Sequence, residues 1–136
     1  MSLDRLFGIA GSGLAAQSVR LNTTASNLAN ADNVAASEDQ LYRAREPVFA
    51  AALADHWSDS GGGVEVLGVV ERDDPVRREY QPGHPLADAE GYVLRSDVDP
   101  VEELANMISA SRSYETNVEV LDTAKQLLLR TLRLGQ

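Results

Sequence analysis

Residues 12–30 read SGLAAQSVRLNTTASNLAN, and this stretch decides the fold. From the start of the chain, large apolar side chains recur every seven residues, with a second row of smaller side chains beside them. The first row is Phe7, Leu14, Leu21 and Leu28, and the second is Leu3, Ala10, Gln17 and Thr24. This spacing predicts a helix over residues 3–28 with a seam that packs on another helix. Because Gly8, Gly11 and Gly13 each cost about 1 kcal/mol relative to Ala in a helix, its stability must come from packing.

The second half of this helix is unusually rich in amides and hydroxyls. They are Asn22, Thr23, Ser26, Asn27 and Asn30. Such side chains either face solvent or form hydrogen bonds between neighbouring helices, which fixes the register of the seam. Because they occur so close together and with few charges, we favour the second interpretation, a helix surrounded by other subunits.

A second helix begins after residue 99. Asp99 suits the N-cap, Pro100 the first helical position and Glu102 the third, which is a capping-box arrangement. Two rows again repeat every seven residues: Met107, Tyr114, Leu121 and Leu128, then Leu104, Ser111, Val118, Lys125 and Leu132. A helix over residues 100–134 is about 50 Å long and one over residues 3–28 about 40 Å, so the two suit antiparallel pairing.

The segments between the helices predict β structure. LYRAREPVFA (residues 41–50) alternates weakly, and Pro47 limits it to an edge strand. VEVLGVVE (residues 64–71) predicts a strand, VRREY (residues 76–80) its returning hairpin partner, and QPGHPLADAEGY (residues 81–92) a rigid loop. AALADHWSDS (residues 51–60) is ambiguous, and residues 30–40 predict a loop.

These patterns together predict an α+β fold, an antiparallel coiled coil of N- and C-terminal helices with a small β-rich middle domain. The expected parts are an N-terminal coiled-coil helix in residues 1–31, a loop and β-rich middle domain in residues 32–98, and a C-terminal coiled-coil helix in residues 99–136. The residues expected to pack between helices or subunits are Leu3, Phe7, Leu14, Leu21, Asn27, Leu28, Asn30, Leu104, Met107, Ile108, Tyr114, Val118, Leu121, Leu128 and Leu132.

Composition and charge exclude several classes of function. The 136 residues have room for one ordinary domain, and the lack of cysteine excludes disulfides and thiolate metal sites. The net charge of −9 falls on residues 31–100, where fifteen acids oppose six bases, and such an acidic middle repels nucleic acid. No apolar run reaches the roughly 20 residues of a membrane span, and the first residues do not resemble a secretory signal.

Motifs for chemistry are weak. The glycines of GIAGSG (residues 8–13) fit neither phosphate-binding pattern, and no strand precedes them. His56 and His84, with Asp55, Asp59, Asp88 and Glu90 nearby, are candidates for a metal-dependent hydrolase, but the two histidines lie in different segments. We expect His84 to order its own turn. The sequence therefore predicts no catalytic, metal or cofactor-binding residues, no cofactor and no small-molecule substrate.

Three segments resemble one family closely. SGLAAQ…LN…ASNLANA (residues 12–31) is similar to the signature shared by the rod and hook subunits of the bacterial flagellum, the flagellar axial proteins. YQPGHPLADAEGYV (residues 80–93) and ELANMISASRSYETNVEVLDTAK (residues 103–125) resemble the proximal rod subunits specifically. The chain departs at residues 95–99, RSDVD, where the family usually has Pro-Asn-Val-Asn, and it lacks the Thr usual near Val34.

The resemblance implies a non-catalytic structural subunit that polymerises helically and transmits torque across the cell envelope. Its terminal helices would line the inside of the rod, and its β-rich middle would lie outside. The implied partners are other rod subunits, copies of itself, the base of the rod at the membrane ring and the flagellar export apparatus. The implied location is the rod in the periplasmic space, reached without a cleaved signal peptide. The alternative is a coiled-coil export chaperone or adaptor.

Overall fold

The computed structural model describes residues 3–52 and 62–135. Its helices are α1 (Leu3–Ala29) and α2 (Pro100–Leu134), and a short 3-10 turn spans Glu38–Gln40. Its strands are β1 (Val34–Ala35), β2 (Arg45–Ala51), β3 (Val64–Glu71), β4 (Arg77–Tyr80) and β5 (Tyr92–Arg95). Most of the ambiguous segment AALADHWSDS, including His56, lies outside the described residues.

The two helices pair antiparallel. Near the start of α1, Leu3 and Leu6 line a groove with Ala124 and Leu127 of α2. Near its end, the Asn27 amide donates a 3.2 Å hydrogen bond to the Glu103 carboxylate at the start of α2. The α+β prediction is therefore confirmed, and the predicted helix bounds are correct to within a residue.

Small and polar side chains are the most buried ones on the two paired helices. The most buried positions are Ala10, Ala16, Thr23, Thr24 and Asn27 in α1, and Glu103, Ala110 and Ala124 in α2. The predicted packing residues Leu14, Leu21, Met107 and Leu121 are half-buried. Gly13 faces the end of the Asn117 side chain, since a Cβ on Gly13 would lie 2.9 Å from Asn117 Nδ2.

The N-terminus of α2 has the expected cap. Asp99 Oδ1 accepts hydrogen bonds from the backbone N–H groups of Val101 (2.8 Å) and Glu102 (3.5 Å), and Pro100 is the first helical residue. The Glu102 carboxylate lies 3.9 Å from the Arg72 guanidinium, so this side chain also connects α2 with the middle of the chain.

The strands form two antiparallel sheets. β2 pairs with β3 from Arg45↔Glu71 to Ala51↔Val64, with a bulge between Val48 and Phe49, while β1, β5 and β4 form the second sheet in that order. Pro47 is on an edge strand as predicted, and residues 81–91 form the loop between β4 and β5. The predicted pairing of VRREY with VEVLGVVE is wrong. β3 pairs with β2 instead, at seven residue pairs, and β4 pairs with β5, the next strand in the chain.

The core is thin. Ala31, Ala44 and Val98 form its buried cluster, with Tyr42 packed against it. Among the described residues the buried apolar side chains are mostly alanines: Ala10, Ala16, Ala31, Ala35, Leu41, Ala44, Val93, Val98, Ala110 and Ala124. Small side chains bury little apolar area, so this core supplies little of the hydrophobic stabilisation that large residues give.

Candidate assembly interface

An unpartnered apolar row runs along α2. We call it the outer stripe, and it consists of Val101, Leu104, Ile108, Val118, Leu129 and Leu132. The six lie on one face of α2, in a row of ten positions at helical spacing that also holds Ser111, Glu115, Asp122 and Lys125. All six are exposed, Ile108 by 56%. Exposed apolar rows of this length mark surfaces that other proteins cover.

The predicted packing residues divide between the helix pair and the exposed surface. Buried or half-buried on the described helices and the turn after α1 are Leu3, Phe7, Leu14, Leu21, Asn27, Leu28, Asn30, Met107 and Leu121. Exposed on α2 are Leu104, Ile108, Tyr114, Val118, Leu128 and Leu132. The first group is thus at least half-buried in the single chain, and the packing role of both groups stays a prediction.

A second exposed apolar surface lies on the β2–β3 sheet. Its side chains are Val48, Phe49, Val64, Leu67, Val69 and Val70. The sheet itself is held on α1, since Val64 N–H donates to Ser12 Oγ (3.1 Å). The sequence analysis missed this surface, although LGVV (residues 67–70) places apolar side chains on both faces of the strand, which is typical of a strand covered on both sides.

Asn27 is the most heavily bonded side chain in the structure's interior, with 2% of its surface exposed. Its Oδ1 accepts from the Arg45 backbone N–H (2.9 Å) and from the Tyr42 hydroxyl (2.8 Å). Its Nδ2 donates to the Arg45 carbonyl (2.9 Å) and to Glu103 Oε2 (3.2 Å). Ser26 Oγ lies 3.0 Å from the Tyr42 hydroxyl, and because that hydroxyl donates to Asn27, Ser26 is the donor here.

The expected hydrogen bonds between helices therefore form at Asn27. Two of the other side chains bond to the backbone of α1: Thr23 Oγ1 donates to the Val19 carbonyl (2.8 Å) and Asn30 Nδ2 to the Ser26 carbonyl (2.9 Å). Asn22 is exposed. No local pattern indicates that Tyr42 and Glu103 are the partners of Asn27, because both are distant from it in the chain.

Glu103 is a buried acid, with only 4% of its surface exposed. Burial, which disfavours the charged form, raises the pKa of its carboxyl above the ordinary value, and the hydrogen bond from Asn27 opposes this. Among its charged neighbours, Glu102 and Glu46 raise the pKa further and Arg72 lowers it.

Ion pairs connect the middle of the chain to α2. The Arg72 guanidinium pairs with Asp74, with Glu46 (3.1 Å) and more distantly with Glu102. It borders a polar cleft of about 560 Å³ next to the start of α2. Because Arg77 in the same cleft pairs with Asp97 at 3.1 Å, the charges lining it are largely matched with one another, as in a structural joint between elements.

The features considered for chemistry have structural roles where they are described. His84 Nδ1 accepts a hydrogen bond from the Leu86 backbone N–H (3.1 Å), so this histidine orders its own turn as expected. Across residues 3–52 and 62–135 no group of three or more His, Asp or Glu side chains is placed to hold a metal ion. Neither helix of that part of the chain is long and apolar enough to cross a membrane.

Known proteins match the chain along its whole length. Residues 7–35 match the family described as flagella basal body rod protein, and residues 89–134 match the family described as flagellar basal body rod FlgEFG protein C-terminal. The flagellar basal-body rod proteins FlgC of Salmonella typhimurium and Escherichia coli O157:H7 are each 53% identical over 136 residues, which is all of both chains. That of Buchnera aphidicola subsp. Schizaphis graminum is 42% identical over 138 residues, again with full coverage. The two family matches contain most of α1 and almost all of α2.

Proposed function

Because the chain belongs to the FlgC family of flagellar basal-body rod proteins, we propose that it polymerises helically with other rod subunits and with copies of itself. It is a structural subunit of the flagellar basal-body rod. The proposed polymer transmits torque across the cell envelope, and the outer stripe and the exposed face of the β2–β3 sheet are its contact surfaces.

The outer stripe is the observation that carries this proposal. Burying a Leu, Ile or Val side chain contributes about 1.5–3 kcal/mol, and in a single chain the six side chains of the stripe leave about half of this unrealised. The interior, by contrast, is built mainly from alanines. Such a chain gains most of its hydrophobic stabilisation only when neighbouring subunits cover the stripe.

The distribution of charge supports the same arrangement. Residues 1–30 carry one acid and two bases, and residues 101–136 carry five acids and four bases, so the two helical ends are close to neutral. The acidic residues 31–100 between them account for the net charge. Near-neutral helices can pack closely with their copies, while an acidic middle facing outward keeps the surface hydrated.

We propose the same three parts as the sequence predicts, with residues 1–31 and 99–136 as the coiled-coil helices and residues 32–98 as the outer middle domain. In the proposed pathway the chain passes through the flagellar export apparatus without a cleaved signal and joins the rod in the periplasmic space, next to the membrane ring. A thin core supports this pathway, because little packing is lost when the chain is unfolded for transport. The proposed function includes no catalysis.

The relatives lend no support to the alternative, a coiled-coil export chaperone or adaptor. Sedimentation separates the two: a chaperone would be a defined small oligomer with ordered terminal helices when alone, whereas a rod subunit acquires that order on assembly.

The outer stripe is tested by Ile108→Asp, with Ser109→Asp as the matched control on the neighbouring exposed position. In cells lacking the native chain, we expect the Ile108→Asp chain to be secreted without forming rods, leaving the cells non-motile, because a buried unpaired carboxylate opposes docking. Ser109→Asp should leave motility largely intact. Normal rods and normal swimming with Ile108→Asp would contradict the proposal. Leu121→Asp, within the helix pair, should also be secreted without assembling.

A further inference from the structure

The side chain of Asn27 joins three elements that are far apart in the sequence. Its amide pairs with both the N–H and the carbonyl of Arg45, the first residue of β2, much as a neighbouring strand would. The second N–H of the same amide reaches Glu103 in the first turns of α2. One side chain on α1 thus contacts the start of β2 and the start of α2.

We propose that Asn27 and Glu103 form a register lock, which fixes α1 against α2 and sets where β2 begins, and that Glu103 takes up a proton as the helices pair. This inference concerns the helix pair of a single chain and goes beyond the proposed contacts between subunits.

The lock needs an amide at position 27 for reasons of bonding capacity. An Asn side chain has two N–H donors and one carbonyl acceptor with two lone pairs, and Asn27 uses all four in bonds of 2.8–3.2 Å. Sliding α1 by one turn would leave the Arg45 backbone groups and the Tyr42 hydroxyl without these partners. Unpaired buried polar groups are costly, whereas the alanines of the helix contact would tolerate sliding more easily.

Burial and the neighbouring acids favour the neutral form of Glu103, whereas the hydrogen bond from Asn27 favours its carboxylate. The charged groups around its carboxyl are Glu46 of β2, Arg72 after β3 and Glu102 of α2 itself. Arg72 pairs with Glu46, Glu102 and Asp74, so its positive charge is shared among these acids. Glu103 therefore meets an amide N–H inside a cluster of carboxylates, and a proton on Glu103 relieves both the burial of charge and the repulsion.

The sign of the pH dependence follows from this direction. Pairing raises the pKa of Glu103 above that of the unpaired chain, so the contribution of Glu103 to pairing is fully present below the ordinary carboxyl pKa. It is lost as the pH rises through the raised pKa. At higher pH an ionised Glu103 favours separate helices, and acidification or removal of the charge favours the pair.

The proton uptake is tested by far-UV circular dichroism of the purified full-length chain as the pH is lowered from neutral through the carboxyl range. We expect the unmodified chain to gain helix as the pH falls. Glu103→Gln should be more helical at high pH and show a clearly smaller gain, while Glu115→Gln, at an exposed position farther along α2, should keep the gain of the unmodified chain. A pH-independent helix content in the unmodified chain, or the same pH dependence in Glu103→Gln, would overturn the proton uptake.

The lock itself is tested by Asn27→Asp, with Asn22→Asp as the control for the same chemical change at an exposed position of α1. Asn27→Asp removes both donors and places two carboxylates together, so we expect at least about a tenfold loss of paired helix. Adding Glu103→Gln should restore part of that loss, because its amide can donate to the new carboxylate. No loss with Asn27→Asp, an equal loss with Asn22→Asp, or no restoration would refute the lock. Since dichroism reads helix formation in the isolated chain, these outcomes do not depend on whether the chain assembles into rods.

Discussion

Gly91 closes the loop between β4 and β5, and Gly91→Ala should weaken this hairpin strongly. Its φ of +85° lies in the left-handed region that residues with a Cβ rarely adopt. A Cβ built there would lie 2.9 Å from Tyr80 Cε2 and 3.1 Å from Pro82 Cβ. The Tyr80 ring is itself packed against Tyr92 with ring centres 5.2 Å apart, so it cannot move away without losing that contact.

The expected cost follows from these two effects. A left-handed conformation costs a non-glycine residue about 1–2 kcal/mol. Forcing a methyl group against an aromatic ring and a proline adds a strain of about 1–3 kcal/mol. We therefore expect the free energy of unfolding of the β-rich middle to fall by about 2–5 kcal/mol, somewhat less if the Tyr80 ring swings outward into solvent.

Tyrosine fluorescence during denaturant unfolding measures this change, since Tyr80 and Tyr92 both belong to the hairpin. The control is Gly83→Ala in the same loop, where a Cβ would meet no atom within 4 Å and should change stability by less than about 0.5 kcal/mol. The reasoning from backbone conformation and contact is refuted if Gly91→Ala unfolds at the same denaturant concentration as the unmodified chain. It is also refuted if Gly83→Ala lowers the stability as much as Gly91→Ala.

Three further outcomes are expected. Asp99→Ala should lower the stability of α2 by about 1 kcal/mol in thermal unfolding followed by dichroism, whereas Asp99→Asn keeps the capping acceptor and should cost little. The Tyr92 backbone N–H lowers the pKa of Asp88, so the stability that this carboxylate gives the hairpin is present above the ordinary carboxyl pKa and lost as the pH falls through the lowered value. The unfolding midpoint of Asp88→Asn should therefore fall less steeply than that of the unmodified chain as the pH is lowered. The dilute, isolated chain should show much less helix near neutral pH than the assembled rod, by circular dichroism, and a rigidly helical monomer at high concentration would contradict this.

Local chemistry explains what could be predicted from the sequence. The start of α2 depends on Asp99 and Pro100, which are adjacent, and the cap forms as expected. The seven-residue spacing likewise identifies both helices and their bounds, because the pattern and the structure have the same period. His84 orders a turn with a residue two positions away. In each case the interacting groups are neighbours in the chain.

What could not be predicted depends on contacts between distant segments. A seven-residue period shows that one face packs but leaves open which neighbouring column of side chains is most buried, and here that column holds small and polar side chains. β3 pairs with β2, which precedes it in the chain, rather than with β4, which follows it more closely. The alternation within β3 alone does not show which of the two is its partner. Tyr42 and Glu103 gain their roles only when folding brings them to Asn27.

The small side chains at the centre of the helix pair and the large ones on its surface have complementary consequences. Alanine contacts such as Ala110 and Ala124 let the helices approach closely but bury little area, so the pair formed by one chain is weakly stabilised by packing. The hydrogen bonds of Asn27 set the register of the helices but add little net stability, because the same groups would bond to water in the unfolded chain. The side chains of the outer stripe are larger, and their hydrophobic stabilisation is completed only when other subunits cover them. Such a chain can remain loosely ordered alone and still adopt one register when it is incorporated. The hydrogen bonds of Asn27 within the chain set the relative position of the helices, and contacts with other subunits stabilise them.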